Sequence, residues 1–429
     1  MKVQLAYGKT GVEVEVPDDS LVLQPKRLLP VEDPAAAIVE ALRDPMGTRQ
    51  LRDLVSPQDT VAIVFSDITR PIPNDVVLPP LLAELEAAGV QRPNITLING
   101  LAMHRPNTRE ELLSMLGPQI MDNYRITQHK PEDPDRLTYL MTNDRGIDVS
   151  LNSAYMSASV RILTGFIEPH IFAGWSGGGK SVLPAIANAE AVMSNHSGPM
   201  LAHPAANWCR TTDNPIFTEM REVAQASNPT FVLNVTLDER KQLTGVFAGE
   251  LRLAHDAGIA FAEGAFVQDV PHEFDIALTA HMGYPSDINL YQSVKALSVA
   301  AQAVRQGGAV ILCAECPDGL GLPHFADLLG ARSSPPELLE MVEDPEFSAF
   351  DQWGVQVTAM CQVKVNTYLY SSMSEAETRR AFMEPVHDIS RALKGLLLRY
   401  RTELGREPRV LVLPYGQLTV PRLSAAVSG

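Results

Sequence analysis

The stretch TVAIVFSDITRP, residues Thr60–Pro71, joins an apolar run to a polar segment and decides the fold class. Its first half, Thr60–Phe65, is bounded by polar residues and predicts a buried strand. Helical patterns at Pro34–Arg43, preceded by the N-cap residue Asp33, and at Asn74–Ala88 flank this strand. Because strands that alternate with helices form βαβ units, the sequence predicts an α/β protein with mainly parallel sheets. In such sheets, ligands bind at the carboxyl ends of the strands.

The same alternation continues along the rest of the chain. Further strands are predicted at Asn94–Ile98, Val160–Phe166, Thr230–Leu237, Leu243–Ala248, Asp275–Ala280, Ala309–Ala314, Gln356–Thr367 and Arg409–Pro414. Further helices are predicted at Thr108–Leu116, from about Ser181, at Leu251–Ala265, Tyr291–Arg305 and Pro336–Val342, and over most of Arg379–Thr402. Met1–Pro17 has the pattern of a β-hairpin, and Arg136–Leu151 has that of a hairpin or of two short strands.

The chain length and one polar segment predict two domains. At roughly 150 residues per domain, 429 residues suffice for two or three. Gln268–Glu273 is mostly polar, contains a proline and is typical of a linker. We therefore expect one α/β domain over 1–268 and a second over 272–403, with the active site in the cleft between them. The last strand could return to either domain, so 404–429 could join the first.

The composition excludes several classes of protein. The chain has 35 Lys and Arg against 51 Asp and Glu, a net charge of −16, which disfavours binding to nucleic acid or to an anionic membrane. Its start lacks the pattern of a signal peptide, and no segment reaches about 18 consecutive apolar residues. Four cysteines are too few for a disulfide scaffold. We therefore expect a cytoplasmic protein with neither a nucleic-acid nor a membrane partner.

Charged side chains follow the first two strands of the predicted sheet. Asp67 and Arg70 come directly after one strand, and His104 lies in NGLAMHRP, Asn99–Pro106, after the next. A guanidinium pairs bidentately with a carboxylate, and histidine is the usual acid or base near neutral pH. The pattern favours an anion site with a general base. A turn held by an Asp67–Arg70 salt bridge and a histidine bonded within its own loop are the plainer alternatives.

The segment GWSGGGKS, Gly174–Ser181, matches two catalytic motifs. The phosphate-loop pattern would make the protein an ATP-binding enzyme that uses Lys180 and Ser181, and the hydrolase-elbow pattern would make Ser176 a nucleophile. Both motifs should follow their strand immediately, whereas Glu168–His170 intervenes here. The glycines still allow a ligand to approach Lys180 closely, as an electrostatic clamp or a covalent attachment point.

A third cluster follows the strand predicted at Asp275–Ala280. It comprises HMGYPSD at His281–Asp287 and then YQSVKA at Tyr291–Ala296. Tyr291 and Lys295 are four residues apart and share a helical face. A solvated helix with an exposed lysine is the plainer interpretation of this cluster taken alone.

Taken in order, these segments resemble the nickel-dependent lactate racemase family. The resemblance rests on D-x-T-R-P at Asp67–Pro71, G-x-x-x-H-R-P at Gly100–Pro106, E-P-H at Glu168–His170, the glycine-rich loop with Lys180, N-H-S around His196, and Y-Q-x-x-K at Tyr291–Lys295. The matches recur in order over more than half of the chain, which is far more specific than any one of them.

The resemblance implies a racemase or 2-epimerase of 2-hydroxy acids with a tethered nickel-pincer nucleotide, which is derived from a pyridinium mononucleotide. By this resemblance Lys180 carries the covalent link, His196 ligates nickel, and His104 and His170 are the acid and base. It implies cofactor contacts from Gly177, Gly178, Tyr291 and Gln292, and substrate contacts from Asp67, Arg70, Lys295, Phe172 and Trp353. It also implies cofactor-maturation proteins as partners.

The chemistry of a 2-hydroxy acid gives independent reasons for these residue types. Proton abstraction at C2 would place a carbanion beside a carboxylate, whereas loss of hydride gives a planar 2-keto acid that can take hydride back on either face. Side chains do not accept hydride, so a cofactor is needed. A base is needed on each side of the substrate, and an Arg and Lys clamp fixes the carboxylate. Nickel tolerates sulfur together with imidazole.

The size of the substrate is open at this point. The sequence departs from the family pattern in loop residues, at Trp175, at Gly179 and at Leu101–Met103. Because these differences could alter the pocket, lactate, a hydroxy-diacid and a sugar acid are all permitted. A phosphate-loop ATP-binding enzyme and a non-catalytic metabolite or nickel carrier on the same scaffold are the alternatives. No oligomeric state is predicted.

Overall fold

The apolar run at Val61–Phe65 is a buried strand near the middle of a parallel sheet. The computed structural model describes residues 1–424. The strands of this part of the chain are β1 Lys2–Leu5, β2 Val12–Glu15, β3 Leu21–Val22, β4 Val61–Ser66, β5 Ile95–Gly100, β6 Arg125–Gln128, β7 Leu137–Thr142, β8 Asp148–Asn152, β9 Val160–Phe166, β10 Pro169–His170, β11 Gly174–Trp175, β12 Phe231–Leu237, β13 Leu243–Gly249, β14 Val267–Val270, β15 Phe274–Ala280, β16 Val304–Cys313, β17 Asn366–Tyr370, β18 Glu384–Val386, β19 Val410–Leu413 and β20 Val420–Leu423. Its helices are α1 Pro34–Arg43, α2 Asn74–Ala87, α3 Arg109–Asn123, α4 Ser153–Met156, α5 Ala189–Asn195, α6 Gly198–Leu201, α7 Pro215–Ala226, α8 Leu251–Phe266, α9 Leu290–Ala303, α10 Pro323–Leu329, α11 Pro335–Glu343, α12 Gln352–Lys364, α13 Glu375–Arg380 and α14 Ile389–Leu404.

Contacts divide the chain into two compact units. The first unit comprises Arg27–His196 and Arg210–Glu263, and the second comprises Met1–Lys26, Ser197–Cys209 and the described residues from Gly264 onward. These bounds differ from the expected division at 268–272. The N-terminal strands belong to the second unit, and so does β19, the strand that the sequence left open to either domain. The part of 404–429 that follows residue 424 lies outside the described residues.

The first unit is built on a six-stranded sheet in the order β13-β12-β9-β4-β5-β6. All neighbours are parallel except β12 and β13, which form an antiparallel pair. Buried strand residues such as Ile63, Leu97 and Ile162 pack with apolar residues of α1 and α2. The strand order reverses between β4 and β9, and such a reversal leaves a crevice at the carboxyl ends of the strands.

The second unit has a six-stranded sheet of its own, in the order β18-β17-β16-β15-β19-β3, with every neighbour parallel. Helix α9 packs against β15 and β16. The predicted N-terminal hairpin, β1 and β2, adds Val3, Leu5 and Val14 to the same core as Ile276 and Ile311. Both large sheets are mainly parallel, so the predicted fold class is confirmed.

Two segments differ in kind from their prediction. The expected linker at Gln268–Glu273 begins inside β14, which pairs in parallel with β20. The expected strand at Gln356–Thr367 is mostly helix α12, because the buried residues Val355 and Ala359 recur at helical spacing.

Two predicted helices have different bounds. The helix expected from about Ser181 is absent there: residues 178–181 form a single 3-10 turn, and α5 begins only at Ala189. Pro184 cannot donate a backbone hydrogen bond, so it does not continue a helix. The helix expected over Arg379–Thr402 is interrupted by β18, which contains Pro385. Within residues 1–424, no helix combines the length and the apolar character needed to cross a membrane.

Candidate active site

The carboxyl ends of β4, β5 and β9 border a cavity in the first unit. Its lining includes Asp67, Arg70, His104, Gly177, Lys180 and Ser181. The cavity lies at the reversal of strand order between β4 and β9, where ligands of such sheets bind. The fold therefore brings three separate sequence motifs to one place.

His104 is held by the carboxylate of Asp67. The Nδ1 of His104 lies 2.7 Å from Oδ2 of Asp67, and the hydroxyl of Thr69 donates to Oδ1 at 2.8 Å. Burial would raise the pKa of Asp67, but the hydrogen bonds from His104 and Thr69 and the charge of Arg70 together lower this pKa below its usual range. An ionised Asp67 makes Nδ1 of His104 the donor, which leaves Nε2 as the basic nitrogen.

This contact adds a positioning role for Asp67, which also lines the cavity, to the substrate contact that the resemblance implies. Asp67 is 3% exposed, and its two oxygens face His104 and Thr69. Its carboxylate is therefore placed to orient a base, while Arg70 is the cation of this segment that lines the cavity.

The glycine-rich loop that precedes Lys180 is tightly packed. The N–H of Gly178 donates to Oδ1 of Asn234 at 3.1 Å, and a Cβ added to Gly178 would overlap the ring of His255. Gly177 has a φ of +81°, which also favours glycine. The loop therefore needs glycine at both positions and fixes the backbone from which the lysine extends.

The loop does not have the geometry of either motif that its sequence matches. A phosphate loop continues into an α-helix, whereas residues 178–181 form one 3-10 turn. The hydroxyl of Ser176 donates to the carbonyl of Phe166 at 2.9 Å and accepts the N–H of Glu168 at 2.9 Å. Ser176 is thus a structural residue of the loop, and the matches to both motifs are coincidental.

The surroundings of Lys180 disfavour its charged form. Burial lowers the pKa of Lys180 well below its usual range, and the nearby charge of Arg70 acts in the same direction, with Glu168 opposing them more weakly. A neutral amine has a free lone pair and is a nucleophile. This environment suits covalent attachment at Lys180 better than a permanent cationic clamp.

Phe172 connects the two other predicted histidines. Its ring centroid lies 4.7 Å from that of His170 and 5.0 Å from that of His196, both edge to face. The Nζ of Lys180 is 6.0 Å from the same ring. The Nδ1 of His170 accepts the N–H of Ala173 at 3.2 Å, so a neutral His170 carries its hydrogen on Nε2.

His196 is buried and uncharged. Burial lowers the pKa of His196 to about 3, and Arg70 and the protonated form of Lys180 add to this effect. An unprotonated imidazole is the form that binds a metal. The donor chemistry at His196 therefore fits a single protein ligand to nickel. Clusters of three or more His, Cys, Asp or Glu side chains able to hold a metal are absent from the described part of the chain.

A buried carboxylate fixes the helix that ends at His196. Glu219 of α7 is 7% exposed and accepts hydrogen bonds from Asn143 at 2.7 Å and from Asn195 at 2.7 Å. Arg145 donates to both of its oxygens, at 2.8 and 2.7 Å. Because Asn195 directly precedes His196, this network holds the proposed metal ligand against α7.

The second unit gathers the other predicted residues around the start of α9. The Nζ of Lys295 donates to Oε1 of Gln292 at 2.9 Å. The hydroxyl of Tyr291 donates to Oδ1 of Asp351 at 3.2 Å and accepts from Nε1 of Trp353 at 3.2 Å. The four predicted residues thus form two contacting pairs.

Sequence reasoning missed three residues that support the site. Asn234 interrupts the apolar strand β12, and a polar residue at a fully buried strand position was a usable signal. Glu219 and Asp351 gave no local signal, because the side chains that they bind lie far away in sequence.

Comparisons with known proteins agree over nearly the whole chain. Residues 7–209 match the family model of the lactate racemase N-terminal domain, and residues 270–420 match that of the lactate racemase C-terminal domain. The lactate racemase of Thermoanaerobacterium thermosaccharolyticum is 31% identical over 431 residues, which cover 98% of this chain and 99% of that protein. The lactate racemase of Lactiplantibacillus plantarum is 31% identical over 422 residues, with coverages of 96% and 98%.

Solved structures agree with the sequence comparison. The lactate racemase apoprotein from Thermoanaerobacterium thermosaccharolyticum superposes with a TM-score of 0.89 at 28% identity, covering 98% of this chain and 100% of that one. A Thermotoga maritima protein at 17% identity shares the fold, with a TM-score of 0.64 and coverages of 92% and 100%. The chain therefore belongs to the lactate racemase family of isomerases.

Proposed function

We propose that the protein racemises or 2-epimerises 2-hydroxy acids by reversible hydride transfer through a 2-keto acid. The observation that supports this most is the shared lining of one cavity by His104, Arg70 and Lys180: an oriented histidine, a cation and a lysine amine whose surroundings disfavour its charged form. The first supplies a base, the second a partner for a carboxylate, and the third a point of covalent attachment.

The cofactor in this proposal is a nickel-pincer nucleotide linked to Lys180. His196 would ligate the nickel, and we assign the other nickel ligands to the cofactor itself. Gly177 and Gly178, which fix the backbone of the loop, would contact it, and so would Tyr291 and Gln292. When bound, the group supplies the hydride acceptor that no side chain provides. Loading would depend on cofactor-maturation proteins.

The chain's own residues manage charge and protons around the substrate. The Nε2 of His104 takes the hydroxyl proton from one enantiomer, and His170 serves the opposite enantiomer. Arg70 and Lys295 hold the carboxylate so that only C2 and its substituents rearrange. Phe172 and Trp353 exclude water from the substrate. Asp67 acts through His104 as a positioning residue.

Isotope retention tests the mechanism. L-lactate and larger L-2-hydroxy acids, each carrying deuterium at C2, are incubated in ordinary water with protein from cells that make the cofactor. The expected product is the D-enantiomer with its deuterium retained, because hydride leaves C2 and returns without entering solvent. Replacement of deuterium by solvent hydrogen at the rate of inversion would indicate proton abstraction at C2 and contradict the proposal.

A further inference from the structure

His281 is a buried histidine with one unmatched donor. It directly follows β15, where the strand order of the second sheet reverses between β15 and β19, and it is 2% exposed. Its Nδ1 accepts the N–H of Met282 at 2.9 Å, so the neutral ring carries its hydrogen on Nε2. Among the residues that the structure describes, none is a hydrogen-bond partner of this Nε2.

Gly416 lies between the end of β15 and the part of α9 that carries Lys295. A Cβ added to Gly416 would lie 2.7 Å from Oγ1 of Thr279, near the end of β15, and 3.2 Å from Cβ of Ala296 on α9. Burial and the charge of Lys295 together lower the pKa of His281 to about 3, so the ring is neutral. His281 is therefore an uncharged hydrogen-bond donor near the cation Lys295, at the carboxyl ends of the strands of the second sheet.

An unmatched buried N–H is unfavourable, and nearly all such groups in folded proteins are paired. In the proposed reaction, Lys295 holds the substrate carboxylate. Lactate has only a methyl group beyond C2 and offers no further acceptor. A longer 2-hydroxy acid with an oxygen at or beyond C3 offers one.

We propose that His281 is a specificity-determining residue whose Nε2–H donates to a substrate oxygen attached at or beyond C3. The inference rests on the proposed function and narrows its substrate class to 2-hydroxy acids with a polar side chain, either a second carboxylate or a hydroxyl. A site that hydrogen-bonds such an oxygen discriminates against the analogue that lacks it.

The test compares L-malate, L-glycerate and L-lactate as substrates of the cofactor-loaded protein. We expect kcat/KM for malate or glycerate to exceed that for lactate at least about tenfold. His281→Leu should lower the higher value about 10- to 100-fold and leave lactate within about twofold. His281→Gln keeps an N–H donor and should recover part of the loss. His387→Leu, an exposed histidine of the same unit, is the control.

Calorimetry of L-malate, L-glycerate and L-lactate binding to the unloaded protein gives a readout that does not depend on turnover. The preferred acid should bind the wild type more tightly than lactate and lose this advantage in His281→Leu. The identity of that acid distinguishes a carboxylate from a hydroxyl acceptor.

Equal kcat/KM for the three acids in the wild type, or equal losses for all three in His281→Leu, would overturn the specificity proposal alone. Failure of the loaded wild type to racemise any 2-hydroxy acid would instead overturn the proposed function. If His281→Leu does not fold, the specificity proposal is tested by the substrate preference of the wild type and by the kinetics of His281→Gln.

Discussion

The contact between Asp67 and His104 makes a kinetic prediction at the scale of a single residue. Asp67→Asn keeps the shape of the side chain but removes the carboxylate that makes Nδ1 of His104 a donor. We expect kcat to fall about 10²- to 10⁴-fold with little change in KM, because the wrong tautomer is a poor base. Steady-state racemisation kinetics measure this, with Asp75→Asn, an exposed position on α2, as the control. A loss that lies in KM alone would contradict the positioning role.

The two proposed acid–base residues predict a separation between activity and loading. His104→Ala and His170→Ala should each abolish racemisation, because each enantiomer needs its own base, while the covalent group on Lys180 persists. Polarimetry and intact-mass spectrometry on the same sample measure both quantities. Wild-type activity in either variant would remove that histidine from the mechanism.

At the scale of elements, the glycine-rich loop should not tolerate a side chain. Gly178→Ala would place a Cβ against the ring of His255 at a φ of +52°. We expect the free energy of unfolding to fall by about 1–3 kcal/mol, since both the overlap and the left-handed backbone are unfavourable. Urea denaturation measures it. Gly264→Ala is the control, because nothing lies within 4 Å of its added Cβ. Equal stabilities of the two variants would contradict the packing described for the loop.

The network around Glu219 predicts a second loss of stability. Glu219→Gln replaces an acceptor of four hydrogen bonds by an amide whose NH₂ group faces donors of Arg145, Asn143 and Asn195. We expect the free energy of unfolding to fall by about 2–4 kcal/mol, because the charge of Arg145 loses its buried partner. Glu222→Gln, an exposed position on the same helix, should change it little. Unfolding curves that coincide for the two variants would show that the network does not contribute to stability.

Hydrophobic periodicity predicted most helices and strands. It failed where loop packing, a proline or a mixed composition determined the local structure. The bounds of β9 and α1 agree with the prediction because each is a clean run with clear ends. The segment after Lys180 contains helix-forming residues, yet the packing of the glycine loop and Pro184 delay the helix to Ala189. Helix α12 mixes β-branched and polar residues, so its four-residue spacing is hidden in the sequence.

At the scale of the whole molecule, buried histidines predict acid sensitivity. Burial lowers the pKa to about 4 for His129 and His255 and to about 3 for His196 and His281. Between these values and about 6.5, the unfolded chain binds protons that the folded chain does not, so stability falls as the pH decreases. Each histidine lowers the free energy of unfolding by up to about 1.4 kcal/mol for each unit by which the pH decreases in this range.

Urea denaturation of the unloaded protein between pH 7 and pH 4 measures this slope. His129→Gln should make the slope shallower, because it removes one of the four groups while an amide can still donate to the carbonyl of Ala187. An identical slope in the variant and the wild type, or stability independent of pH over this range, would contradict the assignment.

The division into units could not be read from composition. Strand β3 and the strands after residue 404 pair with partners far away in sequence, so no linker marks the boundary. The grouping of Asp67, Arg70 and His104 was predictable because their segments lie directly after strands, where ligands of such sheets bind. The net charge of −16 likewise hides a local contrast, since the cation Arg70 lines the cavity.

The central claim is covalent attachment at Lys180, and an intact-mass spectrum with peptide mapping tests it most directly. Protein made in cells able to synthesise the cofactor should carry, on Lys180, an adduct with the mass of a modified pyridinium mononucleotide. Lys180→Ala should lack the adduct, and Lys130→Ala, at an exposed position of the same unit, should keep it. An unmodified Lys180 in cells that load another member of the family in parallel would contradict the account.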